Sequence, residues 1–175
     1  MKILTLLRHA KSGWDDPIAR DFDRPLNPRG RRAARTVANE MHALGLRFDA
    51  VLASPATRVV ETIAEIAAAF GPLEPRYDDR LYLASPETLL DLVRKAPPDA
   101  GTLLIVGHNP GLEMLTLSLT GGGELRDEVA LKYPTATLAE IAVPVDSWRK
   151  VKPGSGELRR FIRPRDLDPE LGPED

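Results

Sequence analysis

The chain contains no cysteine among its 175 residues. Disulfide bonds, thiolate-ligated zinc and a cysteine nucleophile are therefore excluded. Long apolar runs are also absent, since none approaches the roughly 18 to 20 residues of a membrane span. The apolar stretch at the N-terminus reaches Arg8 and His9 before it attains the ~7 to 15 residues of a signal-peptide core. We therefore expect a cytoplasmic protein that has no membrane partner.

An excess of charge of either sign is missing as well. The 24 Lys and Arg residues against 26 Asp and Glu leave a formal net charge of −2. Nucleic-acid-binding domains commonly present a strongly basic face, so nucleic acid is not an expected partner. The length suits one domain of ordinary size. We predict a single domain over residues 1–163, followed by a loosely ordered acidic tail at 164–175.

Short apolar runs alternate with helical patterns along the first two thirds of the chain. Continuous apolar runs at 1–7, 49–53 and 102–106 are typical of buried parallel strands. Four Asn-Pro or Ser-Pro pairs predict helix starts, because Asn or Ser caps an open amide and proline suits the first helical position. The predicted helices span residues 28–44, 55–70, 86–95 and 110–119.

The C-terminal part has a different pattern, with two strand-like segments at 137–143 and 157–162. A loop with prolines and a glycine joins them, so they are able to pair as an antiparallel hairpin at the sheet edge. The alternation of strand and helix before them predicts an α/β fold. We expect a three-layer α/β/α sandwich with a mostly parallel sheet, helices on both faces and C-terminal antiparallel edge strands.

Histidines and arginines stand where these predicted strands end. Arg8 and His9 follow the first strand, Arg58 lies in the first turn after the second, and His108 follows the strand at 102–106. Ligands of open parallel sheets bind outside the carboxyl ends of the strands, so these side chains are expected to meet at one edge. Arginine offers paired donors to phosphate oxygens, and helix N-termini favour anions. We therefore predict a site that phosphate or sulfate is able to occupy.

Each of these residues also has an ordinary structural interpretation. A histidine at a strand end, an exposed arginine or a turn residue is common in any domain. The convergence of four such residues favours a site, because four ordinary explanations would have to hold together. Two histidines without a third spaced ligand do not form a metal shell. Neither a P-loop nor a G-x-S-x-G elbow occurs, and we expect no metal and no cofactor.

Three segments of the chain resemble the motif blocks of a known family. LRHAKS at 7–12, SPATR at 54–58 and VGHNPG at 106–111 are similar to those of the histidine phosphatase (phosphoglycerate mutase-like) superfamily. Ala10 stands in the usual glycine place. The segment DFDRPLNPRG at 21–30 resembles the short SixA-type phosphohistidine phosphatases. The resemblance extends over nearly the whole chain.

The resemblance implies a role for each matching residue. His9 would be the nucleophile and would carry a phosphohistidine intermediate that water then hydrolyses. Arg8, Arg24 and Arg58 would hold the phosphoryl oxygens. His108 would stabilise the charge as the phosphoryl group moves. Such a cluster would need no metal, since phosphoryl transfer asks mainly for positioning and charge stabilisation.

The chain departs from the larger members of this superfamily at one position. They carry a glutamate after the third strand as general acid, whereas the matching stretch 79–85 has none. Asp21 and Glu87 are the remaining candidates for a proton donor. A phosphorylated histidine suits such a site, because its imidazole leaves readily once protonated. We predict a protein phosphohistidine phosphatase. A monoesterase for sugar or nucleotide phosphates and a non-catalytic phosphate-binding module stay open as alternatives.

Overall fold

The computed structural model describes residues 1–17 and 20–172. A six-stranded sheet runs through it in the order β3-β2-β4-β1-β5-β6. The strands are β1 (Lys2–Arg8), β2 (Ala50–Ala53), β3 (Pro75–Tyr77), β4 (Thr102–Gly107), β5 (Leu138–Val143) and β6 (Glu157–Ile162). Neighbours from β3 to β1 pair in parallel, and β5 is antiparallel to both β1 and β6. The predicted mostly parallel sheet with C-terminal antiparallel strands is therefore confirmed.

Helices cover both faces of this sheet. They are α1 (Pro28–Ala43), α2 (Thr57–Phe70), α3 (Pro86–Arg94), α4 (Gly111–Leu119), α5 (Glu124–Leu131) and α6 (Pro164–Leu167). Leu7 and Val106 point into a core shared with α1 and α2. Leu6 and Ile105, one position earlier on each strand, point into a second core shared with α3 and α4. This alternation follows the two-residue period of a strand and gives the predicted three layers.

The Asn-Pro and Ser-Pro pairs mark helix starts in two different ways. Asn27 and Ser85 cap α1 and α3, where their side chains accept backbone amide hydrogen bonds at 2.7 and 3.2 Å. Helices α2 and α4 begin one or two residues later than predicted. Ser54 Oγ accepts from the amide of Ala56 at 3.2 Å and Asn109 Oδ1 accepts from the amide of Glu113 at 3.2 Å, and both side chains have further partners in the site. The prediction that the side chain satisfies an open amide is therefore confirmed for Asn109, whereas the amide that Ser54 binds lies one residue before α2.

The predicted tail differs most from the structure. Residues 164–171 form α6 and a 3₁₀ turn, Pro169–Leu171, so the expectation of loose order is wrong for this part. Leu171 is buried against the core beneath α1, and Arg32 of α1 pairs with Asp168 at 2.5 Å and Glu170 at 2.7 Å. The buried Leu171 and the ion pairs with Arg32 thus hold this acidic segment against α1. Residues 173–175 lie outside the described residues. None of the helices in the described ranges has the length and apolarity needed to cross a membrane.

Candidate active site

The parallel strands β1, β4 and β2 are neighbours, and their carboxyl ends open into one cleft of about 510 Å³. Arg8, His9, Arg58 and His108 all line it, as the sequence predicts. Asp21 and Arg24 join them from the loop after β1, which contains a 3₁₀ turn. Glu87 is exposed on α3 and lies outside the set of residues that line the cleft. The structure therefore brings all predicted site residues together except Glu87.

His9 is buried at the end of β1 and held by two backbone carbonyls. Its amide donates to Gly107 O at 3.0 Å, and its Nδ1–H donates to Ala10 O at 2.7 Å. The tautomer follows from the second bond, because a carbonyl oxygen only accepts. Burial lowers the pKa of His9 to about 3, although the hydrogen bond to Ala10 O acts to raise this pKa. The charges of His108, Arg8 and Arg58 lower it, as burial does. At neutral pH its Nε2 therefore carries an unprotonated lone pair.

His108 lies opposite, with its ring centroid 5.3 Å from that of His9. Its Nδ1 accepts from Arg58 Nη2 at 3.4 Å, and this assigns the proton to Nε2, which donates to Ser54 Oγ at 2.7 Å. Burial first, and the charge of Arg58 second, lower the pKa of His108 to about 4. Both imidazoles in the cleft are therefore neutral at neutral pH.

Arg58 connects the two histidines to the loop after β1. Its side chain is 2% exposed. Nη1 donates to Asp21 O at 2.7 Å, Nη2 donates to Asp21 Oδ2 at 3.0 Å, and Nε lies 3.4 Å from His9 Nε2. One edge of the guanidinium is thus occupied by Asp21, and the other faces the imidazoles. A phosphoryl group bonded to His9 Nε2 would lie within reach of that second edge.

Thr62 fixes the first turn of α2 against the loop that follows His9. Its Oγ1 donates to Arg58 O at 2.6 Å and accepts from the amide of Ala10 at 2.9 Å. Ala10 is fully buried beside it. The position of Arg58 relative to His9 is therefore set by a hydrogen bond between the two elements that carry them.

Asp21 is an ionised acceptor in this structure. Tyr82 Oη donates to its Oδ2 at 2.5 Å, and Arg24 Nε donates to its Oδ1 at 3.2 Å. Burial raises the pKa of Asp21, but the Tyr82 hydroxyl and the Arg58 guanidinium outweigh burial and hold that pKa at about 2. A carboxylate with so low a pKa has no proton to give at neutral pH. The structure thus places Asp21 in the cleft but argues against the predicted role of proton donor.

Arg8 and Arg24 supply the other guanidinium groups of the cleft. Arg8 Nη1 donates to Tyr133 O at 2.9 Å. Arg24 is held at its edge by Asp21 and at its face by Trp14, whose ring centroid lies 3.5 Å from Arg24 Cζ. Three guanidiniums against the carboxylate of Asp21 make the cleft strongly positive, although the net charge of the whole chain is −2. Such a site suits a dianion.

Sequence reasoning missed the site roles of Ser54 and Thr62. Ser54 is fully buried and accepts from His108, whereas its position before proline favoured a helix cap. Asn109 accepts from the amide of Glu113 through Oδ1 and also donates from Nδ2 to Tyr133 O at 3.0 Å, the carbonyl that Arg8 contacts. Within the described ranges, no group of three or more histidine or carboxylate side chains is placed to hold a metal ion.

Comparisons with known proteins agree with this geometry. A sequence model of the histidine phosphatase superfamily (branch 1) matches residues 4–82. An uncharacterized protein of Mycobacterium tuberculosis is 37% identical over 163 residues, which cover 91% of this chain and 100% of that protein. A SixA structure from Agrobacterium tumefaciens, proposed to be a phosphohistidine phosphatase, superposes with a TM-score of 0.79 at 31% identity, and the match covers 92% of this chain and 97% of that one. A SixA structure from Nakamurella multipartitia gives 0.78 at 30% identity, over 93% and 96%.

Proposed function

Because the chain belongs to the histidine phosphatase superfamily, in its SixA-type branch, we propose that it removes the phosphoryl group from phosphohistidine in another protein. The similarity to SixA structures that are themselves proposed to be phosphohistidine phosphatases supports this substrate class. His9 is the proposed nucleophile, and Arg8, Arg24, Arg58 and His108 are the proposed phosphoryl ligands. All five line the same cleft.

In the first proposed step the Nε2 lone pair of His9 attacks phosphorus. The new P–N bond forms as the P–N bond to the substrate imidazole breaks. Protonated on its other nitrogen, that imidazole leaves as a neutral molecule. The guanidinium of Arg58, whose Nε lies 3.4 Å from His9 Nε2, is placed to hold the moving phosphoryl oxygens.

In the second step water attacks phosphorus, the P–N bond to His9 Nε2 breaks, and the two protons of water leave with the product as dihydrogen phosphate. The hydrogen bond from Nδ1 to Ala10 O keeps the ring in the same tautomer throughout. A bound phosphoryl dianion offsets the charge of Arg58, which contributes to the low pKa of His108. The dianion therefore favours protonation of His108 at Nδ1, the nitrogen that faces Arg58. The protonated ring then stabilises the transferring phosphoryl group.

The state of the carboxyl groups is the observation that carries the choice of substrate. Asp21 has a pKa of about 2, and Glu87 lies outside the cleft. An alkoxide leaving group depends on a general acid, which is typically worth ~10² to 10⁴ in rate. A protonated imidazole needs no such help. Phosphohistidine therefore fits this cleft better than a sugar or nucleotide phosphate.

The proposal is tested by measuring phosphate release without metal and with a chelator present. One arm uses a phosphohistidine-bearing protein, and the other uses a panel of sugar and nucleotide phosphates. The variants are His9→Ala and, as a matched control, His42→Ala, which replaces an exposed histidine on α1. We expect wild type and His42→Ala to act on the phosphohistidine protein in preference to the esters, and His9→Ala to be inactive.

Other outcomes identify the alternatives. Preference for an ester, with turnover that falls in Glu87→Gln or Asp21→Asn, would contradict the proposal and indicate a small-molecule monoesterase. Binding of inorganic phosphate without turnover of any substrate, and without covalent labelling of His9, would indicate a phosphate-binding module. Turnover that persists in His9→Ala would exclude the histidine nucleophile.

A further inference from the structure

Two large apolar side chains are exposed where the charged cleft opens to solvent. Trp14 is 68% exposed and Leu83 is 54% exposed, and both line the cleft beside its arginines and histidines. Scattered surface hydrophobics are ordinary and need no explanation. A tryptophan and a leucine at the mouth of a phosphate site are different, because they alter which groups attached to the phosphate can enter favourably.

Trp14 is tied to the phosphate-binding arginines. Its ring lies against the guanidinium of Arg24, with Arg24 Cζ 3.5 Å from the ring centroid. Asp21 holds the edge of the same guanidinium at 3.1 Å, so the arginine and the indole are fixed together. A phosphoryl group on Arg24 therefore brings the group bonded to its phosphorus close to the indole.

Leu83 is held in a conformation that leucine rarely adopts. Its φ is +51°, in the left-handed region that glycine and asparagine occupy more easily. Leu81, two residues earlier, is 1% exposed, and Ala84 O packs so closely on α4 that a Cβ on Gly111 would lie 2.1 Å from it. The chain is thus anchored on both sides of an exposed and strained leucine. The packing of Leu83 within the protein does not explain why a leucine occupies this strained position, whereas a contact between Leu83 and the substrate would.

We infer that Trp14 and Leu83 select the substrate by contacting the imidazole ring that carries the phosphoryl group. This inference rests on the proposed function and adds the residues that discriminate between substrates. Contact with the face of an indole and with the apolar side chain of a leucine stabilises a bound aromatic ring. A sugar bonded to the same phosphate would instead have its hydroxyl groups desolvated against apolar surface. Trp14 and Leu83, the rim of the cleft, therefore favour the binding of phosphohistidine over that of a sugar phosphate before any chemistry takes place.

The test compares two substrates that share the P–N bond and differ in the ring. Values of kcat/KM are measured for free phosphohistidine and for inorganic phosphoramidate, in wild type, Trp14→Ala and Leu83→Gly. Leu131→Ala is the matched control, since Leu131 is 86% exposed on α5 and is not among the cleft-lining residues. Glycine adopts a positive φ without strain, so Leu83→Gly is expected to fold at least as stably as wild type.

We expect the ratio of kcat/KM for phosphohistidine to that for phosphoramidate to fall about five- to tenfold in each rim variant, mainly through KM. Leu131→Ala should keep the wild-type ratio. An equal loss on both substrates in Trp14→Ala would overturn the inference, because Trp14 would then act only by supporting Arg24. An unchanged ratio in Leu83→Gly would overturn it for Leu83. Wild type without turnover of either free phosphohistidine or a phosphohistidine-bearing protein would defeat the proposed function itself, whereas turnover with unaltered ratios would defeat only the selecting role.

Discussion

Replacing His9 by glutamine should remove part of the acid sensitivity of folding. Burial lowers the native pKa of His9 to about 3, from an ordinary value of 6.5 that applies to the unfolded chain. Between these two values the unfolded chain binds a proton on this ring and the native protein does not. The stability due to the neutral ring is therefore fully present above pH 6.5 and is lost as the pH falls toward 3.

The size of this effect follows from proton linkage. The unfolded state gains RT ln[(1 + 10^(6.5 − pH))/(1 + 10^(3 − pH))], which is about 0.2 kcal/mol at pH 7 and about 2 kcal/mol at pH 5. His108, with a pKa of about 4, adds nearly as much over the same interval. Asp21 does not contribute there, because its pKa of about 2 lies below an ordinary value of 3.8 and its stabilisation is lost only at lower pH.

Urea unfolding at pH 7 and pH 5 measures the difference. Wild type should lose about 2 kcal/mol more than His9→Gln between the two pH values. His42→Gln, at an exposed position on α1, is the control and should behave like wild type. Phosphate and sulfate must be left out of the buffers, because an anion in the cleft favours protonated histidines. Equal pH dependence in wild type and His9→Gln would refute the reasoning, and with it the neutral Nε2 nucleophile.

Two further substitutions test the supports of the site. Gly111→Ala should destabilise the protein by about 2 to 3 kcal/mol, because its Cβ would lie 2.1 Å from Ala84 O, whereas Gly121→Ala, with no atom within 4 Å, should change stability by less than about 0.5 kcal/mol. Equal thermal unfolding of the two variants would contradict the close approach. Ser54→Ala should cost about 1 to 3 kcal/mol and slow phosphate release, because His108 Nε2–H loses its acceptor. Unchanged turnover in that variant would show that the orientation of His108 does not depend on Ser54.

The sequence predicts most of the fold because its central strands are short apolar runs that have to be buried. β1, β2 and β4 each provide alternate side chains to two cores, so local composition and final position agree. β3 escapes prediction because its three residues are exposed or half-buried at the sheet edge and carry no apolar pattern. α5 follows a run of three glycines and buries only Val129 fully, which leaves a weak periodic signal. The tail was misjudged because the burial of Leu171 depends on α1, far away in sequence.

The candidate site is predictable where its residues follow strand ends and unpredictable where partners come from distant loops. His9, Arg58 and His108 follow from topology, since parallel strands deliver their carboxyl ends to one edge. Tyr82 donates to a carboxylate 61 residues earlier, and Ser54 accepts from a histidine 54 residues later. Such pairs leave no local pattern, because the distance in space is set by the assembled sheet. The protonation state of Asp21 is hidden for the same reason.

The burial of His9 also bears on whether the site hydrolyses its phosphoryl group or retains it. A nitrogen of low proton affinity is a weak base and, once phosphorylated, a good leaving group toward water. The environment that keeps His9 Nε2 unprotonated, with a pKa of about 3, therefore also makes the proposed intermediate labile. Arg58 and Arg24 are held by Asp21 before substrate arrives, so their charge needs little reorganisation when the phosphoryl group enters. A mutase would need the opposite balance, with a phosphoryl-enzyme that survives long enough to be donated again. We therefore propose hydrolysis as the fate of the phosphoryl group, because the burial of His9 favours departure of its ring from phosphorus.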